Sequence, residues 1–264
     1  MFGIAPKIRL RRTDARAFPI LFTSAVLFAF AVLVTSAPLV GAAPAQARIK
    51  PPPSAELSYS VKAKQSGLTV KGDSMLRWTK SGNKYVVTTE TNAMMFGKIL
   101  DTRSEGMIEP TGLAPTRFTE RRYRKQEAVT RFSRADKTVT YAESQKSYPL
   151  KGDEQDRASI IWQLISVARA HPASFKPGSE WTFTVVGRRH IEPWTFKVIK
   201  AETLETPLGK MQALQVTKVA SQQRDQEIDL WLAPSLEWYP VQLRMSERDG
   251  ATIEQTLQKV TPRS

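Results

Sequence analysis

Apolar side chains fall at every second position over most of this chain, and that period limits the possible folds more than any other feature. Leu57, Tyr59 and Val61 alternate with polar residues, as do Leu68 with Val70 and Leu76 with Trp78. A strand sends successive side chains to opposite faces, so each run makes one apolar face and one wet face. Ser81-Gly82-Asn83 is a turn signal between the Trp78 run and residues 84–89, which predicts a hairpin. Further strands are predicted at 97–109, 116–126, 128–133 and 137–142, with turns at Gly112-Leu113-Ala114-Pro115 and Ser133-Arg134-Ala135-Asp136. The first half of the chain therefore reads as an antiparallel meander.

The period changes once. In the segment 153–170 the apolar positions 161, 164, 165 and 168 follow helical spacing. Asp153 is placed to cap this helix, with Asp156 and Ser159 an alternative cap one turn in that leaves its exact start open; acidic residues stand in the first turn, Arg169 lies near the C-terminus and Pro172 stops it, as the helix dipole favours. Burying Ile161, Leu164 and Ile165 is worth up to roughly 1.5–3 kcal/mol each, so the helix is expected to dock on the sheet. Period two then returns, with Trp181, Phe183 and Val185, with Trp194, Phe196 and Val198, and in a run over 211–219 behind the turn Thr206-Pro207-Leu208-Gly209. The last strands are predicted at 227–232, 241–247 and 252–260, the final two separated by Arg248-Asp249-Gly250. The expected fold is mainly β: a single antiparallel, strongly curved sheet or incomplete barrel over residues 55–260, with one helix on its concave side.

The N-terminus has a separate logic. Lys7, Arg9, Arg11, Arg12 and Arg16 precede an apolar run over 18–34, and Ala45-Gln46-Ala47 matches a signal-peptidase site, so residues 1–47 read as an export signal. The competing reading is an uncleaved membrane anchor, for which the run is short. Either way the remainder leaves the cytoplasm, and a periplasmic location is expected. Lys50-Pro51-Pro52-Pro53, within residues 48–54, reads as a proline-rich spacer before the domain. The chain has no cysteine, which removes disulfides and lipidation of an N-terminal Cys alike. Without residues 1–47 there remain 34 basic and 24 acidic residues, a net charge of +10. Outside the cytoplasm such a surface meets anionic lipid head groups and acidic envelope polymers or proteins, whereas nucleic acid is not an expected partner.

Little in the chain points to catalysis. The two histidines, His171 and His190, with no cysteine, make a zinc site improbable, and His171 falls at a helix end. Asp153, Glu154 and Asp156 could form a paired-carboxylate site, but helix capping accounts for them at lower cost. No nucleotide, nucleophile-elbow or metalloprotease motif is present. The expectation is a non-enzymatic protein without a cofactor.

Two segments could bind something. Residues 117–125 hold Arg117, Arg121, Arg122, Arg124 and Lys125, with Arg131 in the next run. They read either as an anion-binding edge or as an edge strand protected from pairing by charge. In 229–244, Trp231 lies opposite Leu230 and Leu232, beside Asp229, while Trp238 and Tyr239 stand on the connection between two strands. With Trp162 and Leu164 of the helix, they are the candidate ligand contacts. The competing role for these rings is to close one end of the sheet.

Thr206-Pro207-Leu208-Gly209 with Ala213, then Trp231-Leu232-Ala233-Pro234, Pro240-Val241 and Gly250 resemble the C-terminal pattern of a bacterial exported family, domain of unknown function 3108. The stretch from Gln155 to Leu164 is similar to that family's helix start, and Gly112 to Phe118 to its mid-chain turn. The resemblance implies an exported protein with no assigned reaction. By analogy with exported half-barrels, the expected role is binding or carrying an apolar or amphipathic envelope component, a lipid or lipoprotein, as a monomer. The alternative is an assembly factor that docks an acidic envelope partner through the basic segment.

Overall fold

The computed structural model describes residues 48–263 apart from 66, 188–189, 221–225 and 248–249. The export signal and cleavage site expected within residues 1–47, and the turn residues Arg248 and Asp249, lie outside the described residues. In chain order the elements are β1 (Ala55–Gln65), β2 (Leu68–Ser81), β3 (Lys84–Ala93), β4 (Gly97–Glu109), β5 (Gly112–Arg122), β6 (Ala128–Ser133), β7 (Thr138–Tyr141) and β8 (Ser144–Pro149). They continue with β9 (Gln155–Asp156), the helix α1 (Ser159–Ala170), β10 (Glu180–Val186), β11 (Ile191–Thr206), β12 (Gly209–Val219), β13 (Glu227–Leu232), β14 (Pro240–Ser246) and β15 (Thr252–Pro262).

All fifteen strands belong to one sheet. From β8 it runs back through β7, β6, β5, β4, β3 and β2 to β1, which pairs with β15, and from there back through β14, β13, β12, β11 and β10 to β9. The first and last strands thus meet mid-sheet, with Ala55 opposite Pro262 and Lys64 opposite Thr252. The exception to antiparallel pairing is β9 beside β10, where Val185 faces Gln155 and Val186 faces Asp156. The sheet is not closed into a barrel, since β8 and β9 are its outermost strands. It is curled far enough for the Gln155 amide on β9 to donate to the Leu113 carbonyl on β5 at 2.6 Å.

Strong curvature leaves one concave face to cover, and α1 covers it. Ile160, Trp162, Leu164, Ile165, Val167 and Ala168 are all buried, and so are the polar Ser159, Gln163 and Ser166. The helix is thus enclosed more widely than its apolar positions alone predict. Gln163 accepts the Leu113 N–H at 2.7 Å and the Ser166 hydroxyl donates to the Trp162 carbonyl at 2.6 Å, so these buried polar groups have partners. Trp162 stacks on Trp78 at 4.9 Å, and Trp78 stacks on Tyr85 at 5.6 Å. A second cluster of Phe118, Phe132, Val139, Tyr141, Leu150 and Val186 fills the curl between β5–β7 and the end of β10.

The structure corrects four sequence expectations. The helix starts at Ser159 and has no acidic residue in its first turn, so Asp153 does not cap it. The reason is long-range, because Gln155 and Asp156 are drawn into pairing with β10 before the helix can include them. Gly112 to Pro115 is not a turn but the start of β5, with Leu113 and Ala114 buried, and the turn is Pro110-Thr111. The arginine-rich β5 is not an edge, since it pairs with β4 and β6. In this one-layer sheet β5 keeps a wet outer face, so charge there does not require an edge position. Finally, strand 116–126 ends at Arg122, because Arg124 adopts a left-handed φ of 53° that terminates pairing.

Residues 49–54 are tied to the domain. Ile49 and Lys50 N–H groups donate to the Pro110 and Ser166 carbonyls at 3.0 Å each, and the Pro52 and Pro53 carbonyls accept from Trp78 Nε1 and the Tyr239 hydroxyl.

Close backbone approach makes two glycines indispensable, Gly72, where a Cβ would lie 2.0 Å from the Asn92 carbonyl oxygen of β3, and Gly106. A Cβ on Gly106 would lie 2.2 Å from the Ala114 carbonyl oxygen, at the bulge where β4 passes β5, whereas one on Gly112 would meet Gln163 at an ordinary 3.5 Å. Gly106→Ala is expected to cost about 1–3 kcal/mol and Gly112→Ala less than about 0.5 kcal/mol, measured by urea unfolding.

Candidate functional site

The candidate ligand contacts are all buried, and they do not converge on one place. Trp162 meets Tyr239 edge-on at 6.2 Å, and Trp238 meets Phe175 edge-on at 5.4 Å. Leu164 is enclosed in the same cluster. Trp231 lies on the other side of β13, as the alternation predicts, and its indole N–H donates to Glu202 at 2.8 Å. That bond, with Lys200, holds the Glu202 carboxyl below the usual carboxylate range. Trp238 and Tyr239 close the end of the sheet above the helix C-terminus. Their loop contains a short turn of 3-10 helix, Pro234–Leu236, and then two consecutive non-glycine residues with positive φ, Glu237 at 54° and Trp238 at 65°. Arg169 of α1 fastens this loop by an ion pair to Glu237 and a bond to the Glu237 carbonyl at 3.2 Å.

At the opposite end of α1 lies a buried polar cluster. Asp156 accepts the Ala158 and Ser159 N–H groups at 2.8 Å each through Oδ1, and the Ser104 hydroxyl at 2.5 Å through Oδ2. Ser104 lies in turn 3.3 Å from the Tyr85 hydroxyl. Asp156 therefore turns the chain into the helix and ties β9 to β4. Burial pushes its carboxyl up to about 6, against the pull of the Ser104, Ser159 and Ala158 hydrogen bonds. Glu154 is buried too, accepting the Lys151 and Gly152 N–H groups. Both acids serve the backbone rather than standing as an open carboxylate pair. His171 ends the helix with its Nε2 2.9 Å from the Arg48 carbonyl, and His190 faces Glu192 at 3.3 Å. Among the described residues no group of three or more His, Asp or Glu could hold a metal ion.

The basic residues divide into three places. Arg117 and Arg121 of β5 and Arg131 of β6 face outward from the convex side, Arg122 turns back to the buried Glu120 at 2.8 Å, and Arg124 and Lys125 stand in the turn beyond β5. On the outer face Arg103 pairs with Glu105 at 2.9 Å and Arg121 with Glu127 at 3.2 Å. Arg117 and Arg131 lie directly opposite each other across β5 and β6, and among the described residues neither has an ion pair. Beside them is a shallow depression of about 240 Å³ lined by Arg103, Glu105, Arg117, Thr119 and Glu127. Sequence reasoning found Arg117 and Arg131 but not Arg103, whose contribution depends on the β4–β5 register. It also missed Met94, Met95 and Phe96, although three consecutive apolar residues before a glycine at a strand boundary are a visible signal.

The family model described as protein of unknown function (DUF3108) matches residues 58–258. The chain belongs to the DUF3108 family. No curated protein matches. Among solved structures, this DUF3108 chain is similar to a β-barrel-like protein of domain of unknown function DUF1849 from Brucella abortus, with 16% identity, a TM-score of 0.56 and coverage of 80% of this chain and 98% of that one. A protein from Bacteroides fragilis described as exported, with a YmcC-like fold, matches at 9% identity and a TM-score of 0.39 over 81% of this chain and 99% of that one. A domain from Vibrio parahaemolyticus assigned to outer-membrane lipoprotein sorting matches at 9% identity and a TM-score of 0.31 over 80% and 86%. The DUF1849 likeness shows a shared curled-sheet fold and carries no activity with it.

The pH response of the DUF3108 domain follows from Asp156. Its folded state binds the proton more tightly than the unfolded chain, so this group adds about 3 kcal/mol of stability below about pH 4, which is lost as pH rises through about 6. In Asp156→Asn the amide oxygen keeps the two N–H groups and the NH2 turns to Ser104. The variant is expected to fold and to lose that fall in stability between pH 4 and pH 7, measured by urea unfolding at both.

Proposed function

We propose that the protein is an exported, non-enzymatic binding protein that holds or carries an amphipathic, anionic component of the cell envelope. The basic N-terminal segment, the apolar run over 18–34 and Ala45-Gln46-Ala47 support export to the periplasm. The acidic head group of the ligand is assigned to the outer face of β4, β5 and β6.

The observation that carries this reading is the Arg117–Arg131 pair. Like charges set directly opposite each other across a ladder weaken the sheet, and although Glu105 stands opposite Arg117 on β4, that acid is ion-paired to Arg103 and no described carboxylate forms an ion pair with Arg117 or Arg131. A bound anion offsets that repulsion. Guanidinium groups take carboxylate or phosphate oxygens in pairs, which suits a phospholipid or acidic lipoprotein head group.

Replacing Arg117 by Glu sets an acid opposite Arg131 on β6 but also opposite Glu105 on β4, so the two effects oppose each other and the variant is expected to fold within about 1 kcal/mol of the parent. Its affinity for lysophosphatidylglycerol is expected to fall on the order of 30-fold, as for reversal of one charge at an anionic surface, with little change for lysophosphatidylcholine. Titration calorimetry with both lipids checks this. Equal lysophosphatidylglycerol affinity in parent and variant would sink the assignment of the head group to this face. Native mass spectrometry of protein isolated from its own periplasm tests the ligand class, and an acidic protein found in place of a lipid would turn the reading to a docking role.

A further inference from the structure

The antiparallel register places the β1–β2, β3–β4 and β5–β6 connections at one end of the sheet. The β3–β4 connection is unusual for a solvent-facing turn. Its residues Met94, Met95 and Phe96 are 81%, 83% and 51% exposed, while Leu68 at the start of β2 and Tyr123 beyond β5 add further exposed apolar surface at the same end. This tip is built. The Met94 N–H donates to the Lys71 carbonyl at 3.0 Å, the Phe96 N–H closes a turn on Ala93 at 3.0 Å, and Gly97 takes the positive φ of 66° that the reversal needs. Phe96 meets the Tyr123 ring edge-on at 5.9 Å, and the Tyr123 N–H bonds to the Ile99 carbonyl at 2.8 Å, so two neighbouring hairpin ends are joined through their rings.

The charges around the tip are uneven. Its acids are engaged: Lys98 bridges Glu90 and Asp101, Asn92 donates to Asp73, and Arg121 pairs with Glu127. Lys64, Lys71, Arg124 and Lys125 are exposed, and among the described residues they have no ion pair. The Arg124 guanidinium rests 4.9 Å from the centre of the Tyr123 ring. Two methionines and a phenylalanine at the apex, tyrosine one step behind and bases around the base match the depth profile of a bilayer interface, apolar first, then amphipathic ring, then cation. A convex turn with side chains radiating from it is poorly shaped for the roughly 800 Å² per partner of a stable protein contact, but lipid chains can close around it. No helix among the described residues is long and apolar enough to cross a membrane.

We propose that the tip formed by Met94, Met95, Phe96 and Tyr123 is a membrane-docking element that enters the interface of a bilayer whose anionic head groups are met by Lys64, Lys71, Arg124 and Lys125. The inference goes beyond the binding role assigned to the β4–β6 face, because it uses different residues and fixes which end of the sheet meets the lipid.

The absence of cysteine makes a single-site label unambiguous. The full chain carrying Met95→Cys, labelled with the polarity-sensitive fluorophore NBD, is mixed with vesicles of phosphatidylglycerol and phosphatidylethanolamine. The label is expected to shift its emission to the blue and to be quenched by nitroxide-bearing lipid. The same label on Asn83→Cys, in the β2–β3 turn at the far end, is expected to keep its aqueous emission. Capture through residues 18–34 is common to both proteins, so the difference between them reports which end faces the bilayer. Adding Arg124→Glu and Lys125→Glu is expected to abolish the Met95→Cys shift, as are phosphatidylcholine vesicles. Adding Arg117→Glu and Arg131→Glu is expected to leave it intact, so this inference and the head-group assignment fail separately. An unshifted label on anionic vesicles, equal shifts at both ends, or a shift without vesicles that grows with protein concentration would each overturn the proposal, the last by assigning the tip to a protein contact.

Discussion

A single sheet that curls but does not close has one concave face and no second sheet to cover it. In this protein a helix of twelve residues, α1, meets that demand. It does so by entering the curl with nearly all sides buried, which explains why its polar Gln163 and Ser166 are bonded into the core and why the largest buried rings, Trp78 and Trp162, stack on each other beneath it. The two ends of α1 are fixed by different chemistry. Asp156 and Gln155 hold the N-terminal end to β4 and β5, while Arg169 holds the C-terminal end to the Glu237 loop. Those same contacts keep the sheet curled, because β9 is one of its edges and has to cross the concave side to reach β4.

Filling the interior in this way moves accessible binding chemistry outward. The aromatic residues best suited to an apolar ligand are engaged with one another, and the one deeply buried carboxylate that is shifted strongly upward is occupied by three hydrogen-bond donors. What the fold leaves uncommitted is on its surface: two arginines across β5 and β6, and an apolar tip with unpaired bases. The chain's excess of basic over acidic residues is carried outward by the ladder, since alternate residues of a strand point to opposite faces whatever their charge.

Much of this was legible in the sequence. Period two located most strands because one face of each is dry, and Gly82 and Gly209 mark reversals that the chain makes where expected. The single change of period found the helix. Failures came where the deciding contact is distant. Asp153 looks like the helix cap, but β10, some thirty residues later in the chain, captures Gln155 and Asp156 by a parallel pairing that no local pattern announces, so the helix starts one turn later, where Asp156 and Ser159 each accept the other's N–H as the alternative cap has it. β8 was missed because Ser144–Pro149 shows no alternation of apolar residues, with Tyr148, packed edge-on against Tyr141, as its one large ring. The arginine run suggested an edge because charge was read as protection against pairing, whereas β5 pairs on both sides and displays its arginines on a face.

The candidate sites were legible as residue types and not as places. Trp238 and Tyr239 were recognised as large rings near one end of the sheet and Trp162 as a ring on the helix, yet whether such rings hold a guest or hold the fold depends on what lies within about 4.5 Å of them, which spacing in sequence does not encode. Here the Tyr239 hydroxyl donates to Pro53 and its ring abuts Trp162, so the N-terminal strap, the closing loop and the helix share one set of contacts. Any ligand entering beneath α1 has to displace that loop, and the left-handed Glu237 and Trp238 lower the cost of doing so, while the Arg169 ion pair raises it. No comparable cost stands between a ligand and Arg117, Arg131 or the Met94–Phe96 turn, because those groups already face water and an anionic surface replaces only solvent. On energetic grounds, then, the outer face and the tip make first contact, and entry to the interior can only follow.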